Sequence, residues 1–280
     1  MSIRIAPVLP SLLLVALLCG CASGGEGSTR ASDAPALPEP TLGSVPNISD
    51  ASGVIRPIDA YLPDTQHVLE MVQAHESQVN RCLGENGFSE TFSFPAQEEV
   101  IAFVDGVVTD RVARSSLWGF FGVNTARTRG YQREGETGSL TVPPLSDAAS
   151  AACLAPKEGA SDPIMFAFEG SLPSGGPPVP REDSRFLEAV QDWSKCMADN
   201  GFQYSDVLDP LGEYQSEPVA SQRQIATATA DIDCKVSTNL VGIAVAVQAA
   251  YDQRYIESNF SALDDYRAQM DEFLREGATP

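Results

Sequence analysis

Histidine is almost missing from this 280-residue chain, which has two of them beside six Cys. That scarcity excludes a His-rich catalytic metal centre and leaves, at most, a structural zinc site built on Cys. Basic charge is short as well. Lys and Arg number 18 against 38 Asp and Glu, a net charge of −20, which is the wrong sign for non-specific affinity to nucleic acid or to an anionic bilayer. The chain also lacks Gly-x-Ser-x-Gly, His-Glu-x-x-His, Ser-x-x-Lys, a Gly-rich phosphate loop and a calcium loop. His67 and His75 are too far apart on one predicted helix to share a small ion, and His67 with Glu70 reads as a surface pair. Carboxylates are so numerous that choosing an acid/base pair would be arbitrary. No catalytic residue, metal site or cofactor is therefore expected. What is present is a composition that buries a core, 43% hydrophobic and 8% aromatic, in a chain long enough for one large or two ordinary domains.

The N-terminus carries an address. Arg4 precedes an apolar stretch from Ile5 to Leu18, interrupted by Pro7 and Pro10, that is too short for a bilayer-spanning helix of ~20 residues. Residues 1–20 thus read as a signal peptide. Leu18-Cys19-Gly20-Cys21 at its end resembles the lipobox of bacterial lipoproteins, which implies cleavage before Cys21, lipidation of Cys21 and loss of Cys19. The alternative is ordinary secretion with cleavage after Ala22 or Ser23. Beyond Cys21 the chain is polar and Pro-spotted to about Ser52, so residues 21–55 are expected to form a flexible, disordered tether.

Four Cys remain: Cys82, Cys153, Cys196 and Cys234. In an oxidising compartment they suggest two disulfides with three possible connectivities. An internal repeat selects one. Arg81-Cys82-Leu83-Gly84-Glu85-Asn86-Gly87-Phe88 recurs, class by class, as Lys195-Cys196-Met197-Ala198-Asp199-Asn200-Gly201-Phe202. Each copy closes a helix: Val68, Val72, His75, Val79 and Cys82 form one stripe after Asp64-Thr65, and Phe186, Val190, Trp193 and Met197 form another after Asp183-Ser184. Gly87 and Gly201 are expected to stop these helices in the left-handed conformation, with Phe88 and Phe202 folding back. One later Cys follows each copy in a helix-forming context, which predicts Cys82–Cys153 and Cys196–Cys234, worth ~4 kcal/mol apiece on the chain-entropy account.

Trp193, Cys196, Met197, Gly201 and Phe202, with the Cys234 helix and a long acidic C-terminal helix, resemble an uncharacterised family of exported lipoproteins of high-GC Gram-positive bacteria. The resemblance covers residues 182–280 best and the first copy more loosely. It implies an envelope location, disulfides and a helical fold, and it brings no site residues.

The predicted fold is mainly α: two related disulfide-braced helical units, 56–173 and 182–280, with minor strand content near Phe92–Phe94 and Ile164–Phe168. Ser174-Gly175-Gly176-Pro177-Pro178-Val179-Pro180 lies between them and reads as a short stiff linker, 174–181, or a surface turn. Gln222 to Leu274 is helix-periodic, and the part around Leu240 to Ala250 is apolar on both faces, which predicts a central helix. The stripe from Ile256 to Phe273 is either the second arm of a hairpin or a continuation that meets a partner.

One segment departs from the acidic background. Between Arg111 and Arg133 lie five Arg (Arg111, Arg114, Arg127, Arg129, Arg133) and no Asp or Glu, interleaved with Trp118, Phe120, Phe121 and Tyr131. The segment also sits where the first unit is longer than the second. Arg forks suit phosphate or carboxylate groups, and aromatic faces suit sugars or apolar chains, so Arg111, Arg114, Trp118, Phe121, Arg127, Arg129, Tyr131 and Arg133 are the candidate ligand-binding residues. The competing reading is that these Arg pair with the protein's own acids while the aromatics fill its core.

The sequence therefore points to a non-enzymatic cell-envelope lipoprotein, anchored to the outer face of the cell membrane through the lipid on Cys21. It would bind an anionic envelope ligand such as a cell-wall polymer, or an envelope protein, and no nucleic acid. The rivals are a cell-wall-acting enzyme and the solute-binding component of a transporter.

Overall fold

A computed structural model describes residues 37–133, 140–154, 165–166, 168–214, 216–217 and 219–277. The signal peptide, Cys21 and the first part of the tether lie outside the described residues, as does Ile164. The chain divides into Met1–Pro38 and a compact unit Glu39–Pro280, to which everything below refers.

The unit is mainly helical. Helix α1 (Thr65–Glu85) is capped by Asp64, whose side chain accepts from the His67 amide, and α5 (Ser184–Asp199) is capped by Asp183, which accepts from the Arg185 amide. Both helices end alike. Gly87 and Gly201 take φ of +75° and +87°, the Phe88 and Phe202 amides donate 2.9 Å back to Leu83 and Met197, and the Gly amides bond to Gly84 and Ala198. This is the Schellman closure, which only a residue free of a Cβ adopts at low cost. Asn86 and Asn200 each donate 2.9 Å to the carbonyl of the Cys four residues earlier, so the repeat is conformational down to its polar side chain.

Each repeat helix is stapled to a later one. Cys82 is bonded to Cys153 at the end of α4 (Asp147–Cys153), and Cys196 to Cys234 in α7 (Gln222–Ser237). Between them lie α2 (Gln97–Ala113), α3 (Val123–Arg129) and α6 (Asp209–Tyr214). The chain closes with α8 (Leu240–Ser258) and α9 (Phe260–Gly277). Phe92 to Phe94 is not a strand; it is a connection whose rings meet each other at 5.3 Å and the His75 ring at 5.6 and 5.9 Å. Among the described residues, strand is confined to one antiparallel ladder, β1 (Arg114–Ser115) with β2 (Gly119–Phe120), at the end of α2.

The two braced pairs do not form two domains. One core cluster joins Leu117 to Tyr131 of the first stretch with Phe186, Trp193, Ile232 and Leu240 to Val245 of the second. Another joins Val68, Met71 and Val72 of α1 with Tyr255 of α8 and Leu263 and Tyr266 of α9. Helix α8 makes this interleaving possible: it is buried on every side over Leu240 to Gln248, so it has neighbours from both halves. The stripe of α9 is covered by α1, which settles its packing within this chain.

Two boundaries shift accordingly. Residues 174–181 pack as surface structure rather than as a spacer: Pro180 is buried, and the Pro178 carbonyl accepts from Gln248 Nε2 at 3.1 Å. The tether stops short of 55. Ile48 is 2% exposed in the largest core cluster, and Asn239, left-handed at φ +52° between α7 and α8, donates 2.9 Å to the Pro46 carbonyl. Gly242 is the one glycine in the long helical stretch because a Cβ there would lie 2.1 Å from that same carbonyl. Ile48 in the core and the Pro46 carbonyl against Gly242 and Asn239 hold a segment whose composition reads as unstructured.

Candidate functional site

The basic, aromatic segment splits into three parts. Phe121 and Tyr131 enter the core, Phe121 with no exposure and Tyr131 with its ring stacked on Tyr214 at 5.7 Å and edge-on to Phe120 at 5.0 Å. Arg127 and Arg129 lie on the surface of α3, Arg127 paired with Asp233 at 3.2 Å across exposed ground. Arg111, Arg114, Trp118 and Arg133 gather at a cavity of about 700 Å³. Of the eight candidate residues, the structure thus brings four together at this cavity and places the other four in the core or on the surface of α3. The reason is periodicity: a seven-residue helix directs Thr125 and Ala126 inward and Arg127 and Arg129 outward.

The cavity is built on the end of α2 and the tight hairpin after it. Phe103, Val107, Asp110 and Arg111 come from α2, and Arg114 to Trp118 from the hairpin. Phe168 to Gly170, Pro177 and Val179 close one side, and Gln248 of α8 and Arg56 complete the lining. Two contacts fix the hairpin. Trp118, 2% exposed, donates its indole N–H 3.0 Å to the Val112 carbonyl. Gly119 at φ +70° lies so close to Val207 that a Cβ would meet its carbonyl oxygen at 2.2 Å.

The arginines of the cavity pair with carboxylates in and beside its lining. Arg56 grips Asp252 through two bonds of 2.7 and 2.9 Å and Glu169 through one of 2.7 Å. Arg111 reaches Asp59 at 3.1 Å and the same Glu169 at 3.7 Å. At this end two guanidiniums meet three carboxylates. Burial works against the Arg56 charge, and Asp252 and Glu169 more than offset it, so its pKa stands above the ordinary arginine value. At the other end Arg114 and Arg133 both reach Asp110, at 3.2 and 3.0 Å. Burial lowers the Arg114 pKa, Asp110 only partly restores it, and the neighbouring Arg133 opposes it again. Arg114 also donates to the Tyr131 carbonyl and lies over the Phe120 ring at 5.5 Å, so its position is fixed while its charge is under-compensated.

No family model matches the chain. No curated protein and no solved structure matches it either.

A second polar cluster lies deeper. Asp231 and Lys235 of α7 are fully buried and paired at 2.9 Å, with Trp193 Nε1 donating to Asp231 at 2.9 Å, the Tyr131 hydroxyl at 3.3 Å, and Lys235 donating to the Phe120 carbonyl at 2.7 Å. Burial pushes the Asp231 carboxyl up against the pull of Lys235, and pushes the Lys235 amine down against the pull of Asp231. All polar side chains are satisfied and none opens to the cavity, so the cluster braces the fold. Arg56, Asp252 and Glu169 escaped sequence reading for a plain reason. Arg56 and Asp252 are 196 positions apart, and nothing in Ile55-Arg56-Pro57 signals a partner at that distance. Among the described residues, no three His, Cys, Asp or Glu side chains cluster so as to hold a metal ion, and no helix is long and apolar enough to cross a membrane.

Proposed function

We propose that this protein is a non-enzymatic cell-envelope lipoprotein, anchored by a lipid on Cys21, that holds an anionic amphipathic ligand in the arginine-lined cavity. The observation that carries this reading is the convergence of Arg114 and Arg133 on Asp110 in the lining of a cavity of about 700 Å³, where burial holds the Arg114 pKa below its ordinary value. That volume lies within the range of small-molecule sites, about 300–1,000 Å³. Phe103, Val107, Leu117, Trp118 and Val179 offer an apolar wall, and an acidic group placed at Arg114 and Arg133 would accept charge-assisted hydrogen bonds from both. The carboxylates of the lining, Asp110 and Glu169, are both held by Arg, an arrangement that suits binding better than proton transfer. The mainly helical fold also counts against a two-lobed α/β solute-binding component.

The location draws on other support. Two disulfides fit an oxidising, extracytoplasmic compartment. Lipid attachment rests on the lipobox resemblance of Leu18-Cys19-Gly20-Cys21 and on the likeness of the Trp193 to Phe202 motif to exported lipoproteins. Metabolic labelling with a fatty acid should mark the wild-type chain and not Cys21→Ala, which should leave the membrane fraction. For the cavity, dodecyl phosphate is the probe, followed by Trp fluorescence and calorimetry. It should bind one to one, neutral dodecyl maltoside should not compete, and Arg114→Gln with Arg133→Gln should weaken binding about a hundredfold, two tenfold steps of ~1.4 kcal/mol. Equal binding by that double variant would remove the reading.

A further inference from the structure

A second, smaller cavity of about 200 Å³ lies where the start of α1 meets α9. It is below the size of drug-like ligand sites, about 300 Å³ and upward, but ample for an ion. His67, Met71 and Met270 line it: one of the chain's two His and two of its five Met. His67 and Met71 are four residues apart on α1 and so share one helix face. Met270 comes from α9 and packs against the same apolar cluster that contains Met71. Three donors of two kinds are therefore brought to one small space from two helices.

We propose that His67, Met71 and Met270 form a site for a soft monovalent metal ion, Cu(I) or Ag(I), held by two thioethers and one imidazole. The donor chemistry selects this class. Thioethers are neutral and weak ligands for hard ions but good ones for Cu(I), whereas Mg and Ca demand several oxygens. Asp271 is the lone carboxylate among the described residues of the lining. The four Cys of the folded unit are locked in disulfides, so thioethers are the soft sulfur donors left in it.

The imidazole is already oriented. His67 Nδ1 lies 2.9 Å from Asp64 Oδ1, which assigns the proton to Nδ1 and leaves Nε2 as the ligand atom. A carboxylate behind a metal-binding His is the usual outer partner that fixes its tautomer and raises its basicity. Asp64 is itself fixed, since the same oxygen accepts 2.8 Å from the His67 amide as the cap of α1. Arg267, the cation of the lining, is occupied: its guanidinium lies 4.1 Å above the Tyr61 ring and donates 2.8 Å to the Ala60 carbonyl. Met71 is 1% exposed and would bind from the dry side, while His67 faces solvent and gives the ion its way in.

The test is an anaerobic Cu(I) titration against bathocuproine disulfonate, using the full chain with Cys19→Ser and Cys21→Ser so that no free thiol competes. One Cu(I) per chain is expected, with sulfur and nitrogen both present in its X-ray absorption shell. Met270→Leu and Met71→Leu keep side-chain volume, and each should weaken binding at least tenfold with little change in melting temperature. Asp64→Asn should weaken it about tenfold through the imidazole alone. If Met71→Leu fails to fold, Met270→Leu at its half-buried position carries the sulfur test by itself. Absence of binding, unchanged affinity in Met270→Leu, or a metal shell without sulfur would each overturn the site.

Discussion

The helices ending at Gly87 and Gly201 share an Asp cap, a Cys, an Asn over that Cys and a Schellman closure, yet their surroundings are unalike. At the register of Trp193 the first copy has Val79, and at the registers of Asp231 and Lys235 it has Ser150 and Leu154. The first brace is thus apolar and small, closing a peripheral cluster of Val79, Leu83, Phe92 and Ala149. The second contains a buried ion pair that receives Tyr131 and the Phe120 carbonyl from the chain of the first copy. A shared local motif thus fixes how each helix ends, while its partners decide what each brace holds. The second brace secures the hairpin that carries Arg114 and Trp118, so the cavity depends on the copy that contributes little to its lining.

Removing the braces separates loop length from packing and should give the largest effects. The closed loops span 71 and 38 residues, so chain entropy alone assigns about 4.4 kcal/mol to Cys82–Cys153 and about 3.9 kcal/mol to Cys196–Cys234. Packing reverses that order. Cys234 has no exposure and lies in the largest core cluster, so serine there adds about 1–3 kcal/mol for a buried hydroxyl, whereas Cys82 and Cys153 are half-buried. Denaturant unfolding of the two double Cys→Ser variants should therefore show the second as the weaker protein; the opposite ranking would mean that loop length governs both.

Next in size is the ion pair. Asp231→Asn leaves the Lys235 charge buried without its counter-charge and should cost about 3–5 kcal/mol. Ser150→Ala at the matching place in the first copy should cost less than about 0.5 kcal/mol, because it removes no buried charge. If the two variants unfold at similar denaturant concentrations, the polar brace is not what distinguishes the copies.

The sequence reached those features whose causes are local. Caps, glycine stops and the pairing of Cys82 with Cys153 and Cys196 with Cys234 follow from residues a few positions apart or from a repeat. The burial of α8 follows from its lack of a polar face. Helix α2 carries a legible stripe, since Val100, Phe103, Val104, Val107 and Val108 share one face at helical spacing, and Arg111 interrupts it where the cavity begins. Interleaving of the halves and the pairing of Arg56, in the cavity lining, with Glu169 and the buried Asp252 depend on tertiary pairing, which leaves no local trace. Of the eight candidate ligand residues, four line the cavity, Phe121 and Tyr131 are in the core, and Arg127 and Arg129 lie on the surface of α3.

The smallest expected difference lies in the caps, where pH gives the finer measurement. Asp64 and Asp183 both have carboxyl pKa values below the ordinary 3.8, Asp64 through the His67 amide and Asp183 through the side chain of Arg185, whose Nε lies 2.8 Å away. A carboxyl depressed on folding contributes stability that is complete above its unfolded value and is lost as pH falls through the folded one. The window therefore opens below about pH 4 for both caps. Asp64 is largely exposed, so alanine there should cost about 0.5 kcal/mol at pH 7, while Asp183, buried beside its Arg, should cost about 1–2 kcal/mol. Asparagine preserves a cap without the charge. Asp183→Asn should consequently flatten the fall in melting temperature between pH 4 and pH 2 more than Asp64→Asn does; an equal flattening would place the acid sensitivity in the shared cap geometry and not in the Arg185 pair.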